Sequence, residues 1–437
     1  MRNLLAIVGD YYPHPSSNTN CFNPLLCGLE KAGWHIDIVT VKQWFDLPDH
    51  EVEESGREIW RINDPRSMNT ILQNQAARIP APRFLRFVNK CFATVSKAFF
   101  YLRYCLFQPE KRYAGWSRSA AVKKCLELHN DKSYEIVLSI SHPVACHEIA
   151  QKFLNALNEG RPKWVLYELD PFCYNEHIYG KNCYAKLAPK QHMLFSLADG
   201  ILVLPELYDL YRNTPFAQYM DKLYPILLPN MKPVNFRTDN AAGLPLADNR
   251  VNCIFGGAFG TKIRNPAYAL DTFSRCSTCI RWTIMTGFAM DSFLDNIDDI
   301  HDVIRVYPMQ LQDTAYSTML RADILVNIGN TVSFQTPGKI FEYMAMGKPI
   351  IHFQKTVDDP CLKYFKDYPM VLIINELEND PVKHAQMIEE FCRQNQKRTL
   401  SFEEVSQIIP QYTSKQVVNG FVQLIDNIAN EANHAKE

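Results

Sequence analysis

Short apolar runs alternate with amphipathic stretches along most of this chain. Leu4–Val8, His35–Val41, Ile136–Ile140, Trp164–Leu169 and Gly200–Leu204 each read as buried strands, with turn-rich or helical segments between them. The loop Gly9–Asn18 and a helix running to Gly33 complete the first unit. A Pro-rich interval follows at Leu223–Leu246, carrying Pro225, Pro229, Pro233 and Pro245, and suits an interdomain connection. The rhythm then restarts with strands predicted at Val251–Phe255, Trp282–Thr286, Val303–Tyr307, Ile324–Ile328, Pro349–Phe353 and Val371–Ile374. Near-continuous apolar strands separated by helices predict parallel sheets covered on both faces. The expectation is an α/β protein of two Rossmann-like domains, residues 1–228 and 229–412, facing across a cleft, with a last helix over 413–437.

The most telling stretch is Thr336–Ile351. Thr336 suits a helix cap, Pro337 the first helical position and Gly347 the residue just past the end. At about 100° per residue, Ile340, Phe341, Met344 and Ala345 share one face, and Lys339, Glu342 and Tyr343 the other. A lysine beside free N–H groups suits a diphosphate, and a carboxylate one turn on suits sugar hydroxyls. A surface Lys–Glu pair at i,i+3 fits the same spacing.

The segment Phe255–Pro266 runs from a buried strand into a loop with Gly256, Gly257 and Gly260, where the backbone can come close to a ligand. Lys262 and Arg264 add positive charge, and a guanidinium matches phosphate oxygens in pairs. A flexible loop with exposed bases is the plainer reading. Neither half carries G-x-G-x-x-G after its first strand, which argues against a nicotinamide dinucleotide enzyme.

Composition narrows the field. With 437 residues and 47% hydrophobic content, two large cores are affordable; the net charge of −1 gives no reason to expect nucleic acid as a partner. No eighteen-residue apolar run is present to cross a bilayer, and the run after Met1-Arg2-Asn3 is too short for a secretory signal. Thirteen cysteines, scattered through apolar segments, fit reduced thiols in a cytoplasm. Cys276 and Cys279 form a C-x-x-C with no second pair or histidine cluster nearby, and no aspartate ladder is evident, so no metal or other cofactor is expected.

One window departs from the overall balance. Between Arg66 and Gln108 no Asp or Glu occurs, while Arg78, Arg83, Arg86, Lys90, Lys97 and Arg103 do. Phe84, Phe87, Val88, Cys91, Val95, Ala98, Phe99 and Leu102 recur at helical spacing. A basic amphipathic helix over 83–107 can lie in an anionic membrane surface; the same stripe can equally pack on the first domain with its charges in water.

Several motifs together resemble the GT-B glycosyltransferases, most of all the retaining family-four group that builds bacterial surface polysaccharides, over nearly the whole chain. Gly9-Asp10-Tyr11-Tyr12-Pro13 resembles that family's first loop. Tyr134–Val137 leading to Ser139-Ile140-Ser141-His142-Pro143 resembles its second motif. Ala198–Val203 and Leu228-Pro229-Asn230-Met231 resemble the strand before the crossing and the crossing itself. Phe255–Pro266 resembles the donor-phosphate loop, and Ala322–Val326 through Met346–Pro349 the donor motif.

The resemblance implies that Arg264 and Lys339 hold a donor diphosphate and that Glu342 accepts the ribose hydroxyls. It places Gly256, Gly257, Gly260, Lys262, Thr336 and Gly338 around them. The first glutamate of the family's pair falls at Phe334 and is missing. On the acceptor side His142 sits just past a strand end, where it could take part in the chemistry or be structural. Glu168 and Asp170 are candidates for acceptor hydroxyls, and Tyr11 and Tyr12 for the cleft floor. The implied reaction is transfer of a sugar from a UDP- or GDP-linked donor to a hydroxyl of a lipid-linked glycan, with retention. Arg264, Lys339 and the Gly256–Gly260 backbone would stabilise the leaving diphosphate, in a cytoplasmic protein peripheral to the inner face of the membrane. Rival readings are a sugar-nucleotide epimerase and a non-catalytic glycan-assembly partner with the same fold.

Overall fold

In the computed structural model the described residues are 2–13, 16–43, 47–62, 91, 94–95, 118–234, 242–247, 249–290, 293 and 303–434. The chain divides into two compact units, Met1–Leu227 with Val418–Glu437, and Leu228–Val417. The basic window over 83–107 lies outside the described residues except at 91, 94 and 95.

The first unit is built on β1 (Arg2–Ile7), β2 (Trp34–Val41), β3 (His50–Val52), β4 (Glu58–Ile62), β5 (Ile136–Ser141), β6 (Lys163–Glu168), β7 (Gly200–Val203) and β8 (Leu223–Pro225). Among the described residues they form one sheet in the order β3-β4-β2-β1-β5-β6-β7-β8, parallel throughout except for the β3–β4 pair. The expected strands are present with ends within a residue or two. The apolar sequence explains them: Leu4–Ile7 and Ile136–Ile140 are wholly buried, as a parallel sheet covered on both faces requires. Three strands were not anticipated. β3 is exposed at every position and β8 has only three residues inside the Pro-rich interval, so neither carries a hydrophobic signature. β4 spans a bare five positions, and its apolar residues are interrupted by Arg61.

The second unit contains β9 (Val251–Gly256), β10 (Ile280–Thr286), β11 (Ile304–Pro308), β12 (Ile324–Ile328), β13 (Ile350–Gln354) and β14 (Val371–Asn375). These run parallel in the order β11-β10-β9-β12-β13-β14. Their core gathers Phe255, Phe273, Trp282, Ile284, Val326, Ile351 and Phe353.

The last helix, Ser414–His434, repeats Phe421, Ile425, Ile428 and Ala429 as buried positions. It returns to the first unit. Arg2 Nη1 donates to Asp426 Oδ1 at 2.7 Å and Trp34 Nε1 to the same oxygen at 3.0 Å. Gly28 and Gly200 let it approach: a Cβ on them would meet Val418 Cγ1 at 2.2 Å and Ile428 Cδ1 at 2.7 Å. The helix expected as a separate terminal element therefore belongs largely to the N-terminal core.

Both sheets change winding direction once. In the first the chain runs outward from β1 to β2 and returns to β5 on the other side; in the second β9 sits between β10 and β12. Loops at the carboxyl ends of such neighbouring strands are where open α/β sheets bind ligands. These are the loops that carry the candidate residues.

Candidate functional site

In the second unit two distant stretches meet at the β9–β12 switch. Lys339, half-buried at the start of the helix Lys339–Ala345, donates through Nζ to Gly256 O. Its aliphatic stem runs past Gly257, where a Cβ would lie 2.9 Å from Lys339 Cε. The glycine is required for the lysine to reach its position. Tyr343, expected on the polar face of the helix, is fully buried, and its hydroxyl accepts from Gly256 N at 3.3 Å.

The glycine-rich loop differs from expectation in one respect. The N–H groups of Gly256, Gly257 and Gly260 bond to Tyr343 OH, Met285 O and Arg264 O, so these three amides are engaged within the protein rather than directed at a ligand. Gly260 and Arg264 exchange both backbone bonds at 3.1 Å, closing a tight loop. Lys262 is exposed, and its carbonyl receives Thr331 Oγ1 at 2.8 Å. The loop's contribution is to seat two cations, not to present a cradle of amides.

Arg264 is the second cation. Its Nε and Nη2 donate to Asn330 Oδ1 at 3.1 and 2.9 Å, and Nη1 to Ala258 O at 3.3 Å. Burial holds the guanidinium below its usual pKa; burial does the same for the Lys339 ammonium, which Glu342 offsets and Arg264 reinforces. Two desolvated cations side by side, pushed toward losing charge, form a place that an anion would stabilise. Glu342 sits one turn along. Burial pushes its carboxyl above the ordinary value, against the pull of Lys339, a hydrogen bond from Tyr316 and the charge of Lys232. Tyr316 OH accepts from Gln312 Nε2 at 3.1 Å, which leaves its hydrogen for Glu342.

Thr336 does not cap the helix: Gly338 occupies that position in helical conformation, and the Thr336 hydroxyl is buried with no partner. Gly338 has a packing role, since a Cβ there would meet Asn230 Nδ2 at 2.8 Å. Gly347 closes the helix at φ +64°, as expected.

In the first unit the candidates gather at the β1–β5 switch but differ in accessibility. Gly9 packs directly on His142 and Pro143. The His142 ring stacks on Tyr179, with Nε2 3.3 Å from its hydroxyl, and burial lowers its pKa to about 4. It is a neutral imidazole at neutral pH. Tyr11 is buried, not on an open floor: its hydroxyl is bonded by Arg57, a side chain also held by Glu30 at 2.8 Å. Tyr12 lies at the surface with its hydroxyl on Asn20 Oδ1 at 3.3 Å, and its carbonyl accepts from Arg61.

Glu168 is likewise not available to an acceptor. Its carboxyl is fully enclosed by Phe172 N at 3.0 Å, Gln191 Nε2 at 3.0 Å and Tyr211 OH at 2.6 Å, and burial raises its pKa to about 8. Asp170, two residues further on, is partly exposed.

Two clusters have metal-ligand composition. In one, His352 Nε2 lies 3.2 Å from Asp359 Oδ2 and Nδ1 2.8 Å from Asn327 Nδ2, so both ring nitrogens have protein partners. In the other, Lys132 Nζ occupies the centre, 2.8 Å from both Asp37 and Glu58. Cys276 is buried and Cys279 exposed, and the described cysteines are free thiols. No helix among the described residues is long and apolar enough to cross a membrane.

Solved structures place this architecture. A sucrose-phosphate synthase from Thermosynechococcus elongatus superposes with a TM-score of 0.54 at 14% identity, covering 100% of this chain and 98% of its own. The fold is GT-B. MnaA of S. aureus in complex with UDP matches with a TM-score of 0.53 at 10% identity, covering 98% of this chain and 97% of that one. A protein assigned as a UDP-N-acetylglucosamine 2-epimerase from Listeria monocytogenes matches at 0.51 and 10% identity, with the same coverage. No protein-family model and no curated protein sequence matches the chain.

Sequence reasoning missed Asn330 and Tyr316. Each is a common polar residue in a loop or on a half-exposed helix, where neither periodicity nor spacing marks it.

Proposed function

We propose that this protein is a glycosyltransferase that moves a sugar from a nucleoside diphosphate donor to a hydroxyl acceptor. The observation that carries the reading is the meeting of Arg264 and Lys339, 75 positions apart in sequence, around the carboxyl end of β9. Charge that develops on a departing diphosphate would fall between a guanidinium and an ammonium already seated by the protein, which lowers the barrier without reorganisation. Glu342, one helical turn from Lys339, takes the ribose hydroxyls.

We assign the acceptor to the lipid-linked glycans, with retention of configuration, from the sequence resemblance and the acid-free basic stretch over 83–107, which would hold the enzyme on the inner face of an anionic membrane. We assign His142, neutral and close to the β1–β5 switch, to orienting substrate on that side.

A second reading, a sugar-nucleotide epimerase, has its own support, since a neighbour of the same fold with a TM-score of 0.51 is assigned as a UDP-N-acetylglucosamine 2-epimerase. One experiment separates them. The protein is incubated with a panel of UDP- and GDP-sugars, with and without membrane lipid extract. A transferase releases nucleoside diphosphate only when lipid is added. An epimerase converts the donor alone, and a non-catalytic partner does neither.

A further inference from the structure

The arginine of the phosphate site is held by a neutral side chain, and that choice has a consequence. A guanidinium has five N–H bonds. In Arg264 three have acceptors, Nε and one on Nη2 sharing Asn330 Oδ1, and one on Nη1 with Ala258 O. One N–H remains on each terminal nitrogen, and such donors suit phosphate oxygens. Asn330 is itself buried and fixed: its Nδ2 donates to Gln335 O at 2.8 Å. The residue before it, Gly329, donates its N–H to Phe353 O at 2.9 Å, and the residue after it, Thr331, bonds Ile263 O at 2.8 Å. The two loops at the β9–β12 switch are thereby stitched together with Asn330 at the seam.

A carboxylate at this position would grip the guanidinium more firmly and cancel its charge. An amide oxygen fixes the orientation and leaves the full positive charge for a ligand. We infer that Asn330 is the positioning residue of the diphosphate site, setting the Arg264 guanidinium so that its two remaining N–H donors face the phosphates. This rests on the nucleotide reading given above and goes beyond it, because it assigns a role to a residue that does not itself touch substrate.

The test is a binding cycle on the full-length protein with UDP, GDP, inorganic pyrophosphate and uridine, using Asn330→Ala, Arg264→Met and the double variant. Asn330→Ala should weaken UDP or GDP and pyrophosphate about tenfold, as expected for a lost hydrogen bond to a charged group, and leave uridine unchanged. In the Arg264→Met background the same substitution should cost nothing more, since there is no guanidinium to set. An equal loss in both backgrounds means that Asn330 acts through the fold, and the inference falls. Should Asn330→Ala unfold, the isosteric Asn330→Asp replaces it: thermal stability stays level or rises while diphosphate binding drops. Unchanged diphosphate affinity in a folded Asn330→Asp protein overturns the inference alone. If the wild-type protein binds none of UDP, GDP and pyrophosphate, the nucleotide reading itself fails and takes this role with it.

Discussion

Replacing Lys339 by methionine removes a charge and almost no volume, and the structure sets the consequence for stability and for turnover separately. The side chain threads past Gly257 to Gly256 O, a path that an unbranched thioether can follow. Loss of the Nζ hydrogen bond costs about 1 kcal/mol. Against it stands relief of the desolvation that holds the ammonium pKa below normal. The two nearly cancel, so the melting transition should stay within about 1 kcal/mol of wild type. Turnover should not be spared. Removal of one preorganised group that stabilises developing charge costs on the order of 100- to 1000-fold in kcat, about 2.7–4 kcal/mol. The pH profile adds a third reading. A lysine whose pKa is lowered in the protein loses its charge earlier as pH rises, so donor affinity in the wild type should decline at a pH below the ordinary lysine range. The methionine variant should lack that decline. The assay is nucleoside diphosphate release at several pH values, with calorimetric binding of UDP and GDP. A folded Lys339→Met protein that turns over within about threefold of wild type would refute the assignment.

Glu342→Ala should reduce turnover on the order of a hundredfold, from the loss of charge-assisted bonds to two hydroxyls, with KM rising more than for Lys339→Met. Glu168 keeps its proton to about pH 8 in the fold and to about 4.5 when unfolded, so it favours the folded state at pH 5 and loses that advantage as pH rises to 8. Urea unfolding of Glu168→Gln should show a shallower fall in stability over that window than the wild type, and an unchanged slope would exclude the assigned cause. Gly347→Ala should destabilise by at least about 2 kcal/mol, because φ is +64° and a Cβ would sit 1.8 Å from Leu400 O, a backbone atom that cannot swing aside. Vesicle flotation tests the basic stretch: anionic vesicles should retain the protein, and neutralising Arg83, Arg86 and Lys90 together should release it, at about 1 kcal/mol per residue.

The two sheets could be read from sequence because parallel strands covered on both faces must be apolar along their length. Ile324–Ile328 and Ile350–Phe353 announce themselves in that way, while β3 and β8, short and at the margin of the first sheet, do not. The placement of Lys339 and Arg264 at strand ends was legible for a different reason. Lys339 and Arg264 each stand in a local frame of glycine, proline and helical periodicity that places a charge at a strand end. The acceptor side was misjudged at Glu168 and Tyr11 because spacing reports where a residue lies along the chain and not what encloses it. Gln191 and Tyr211 enclose Glu168 from positions 23 and 43 residues away, and Arg57 reaches Tyr11 from 46 away.

The same distinction explains the glycines. From sequence, Gly256 and Gly257 look like a phosphate cradle. In the fold their N–H groups are bonded to Tyr343 and Met285, and the missing side chain of Gly257 admits a lysine stem. A glycine signals close approach, but the approaching group here is a protein cation rather than a ligand. In the proposed mechanism the catalytic charge rests on two side chains whose positions depend on the residues beside them: Gly257 for Lys339, and Asn330 for Arg264. Enlarging Gly257 to alanine, which touches no substrate in this scheme, should therefore act on Lys339 alone. It should reduce turnover in the wild type and have little further effect in Lys339→Met, where the shorter charge-free chain can yield. Equal losses in both backgrounds would show that Gly257 serves the loop and not the lysine.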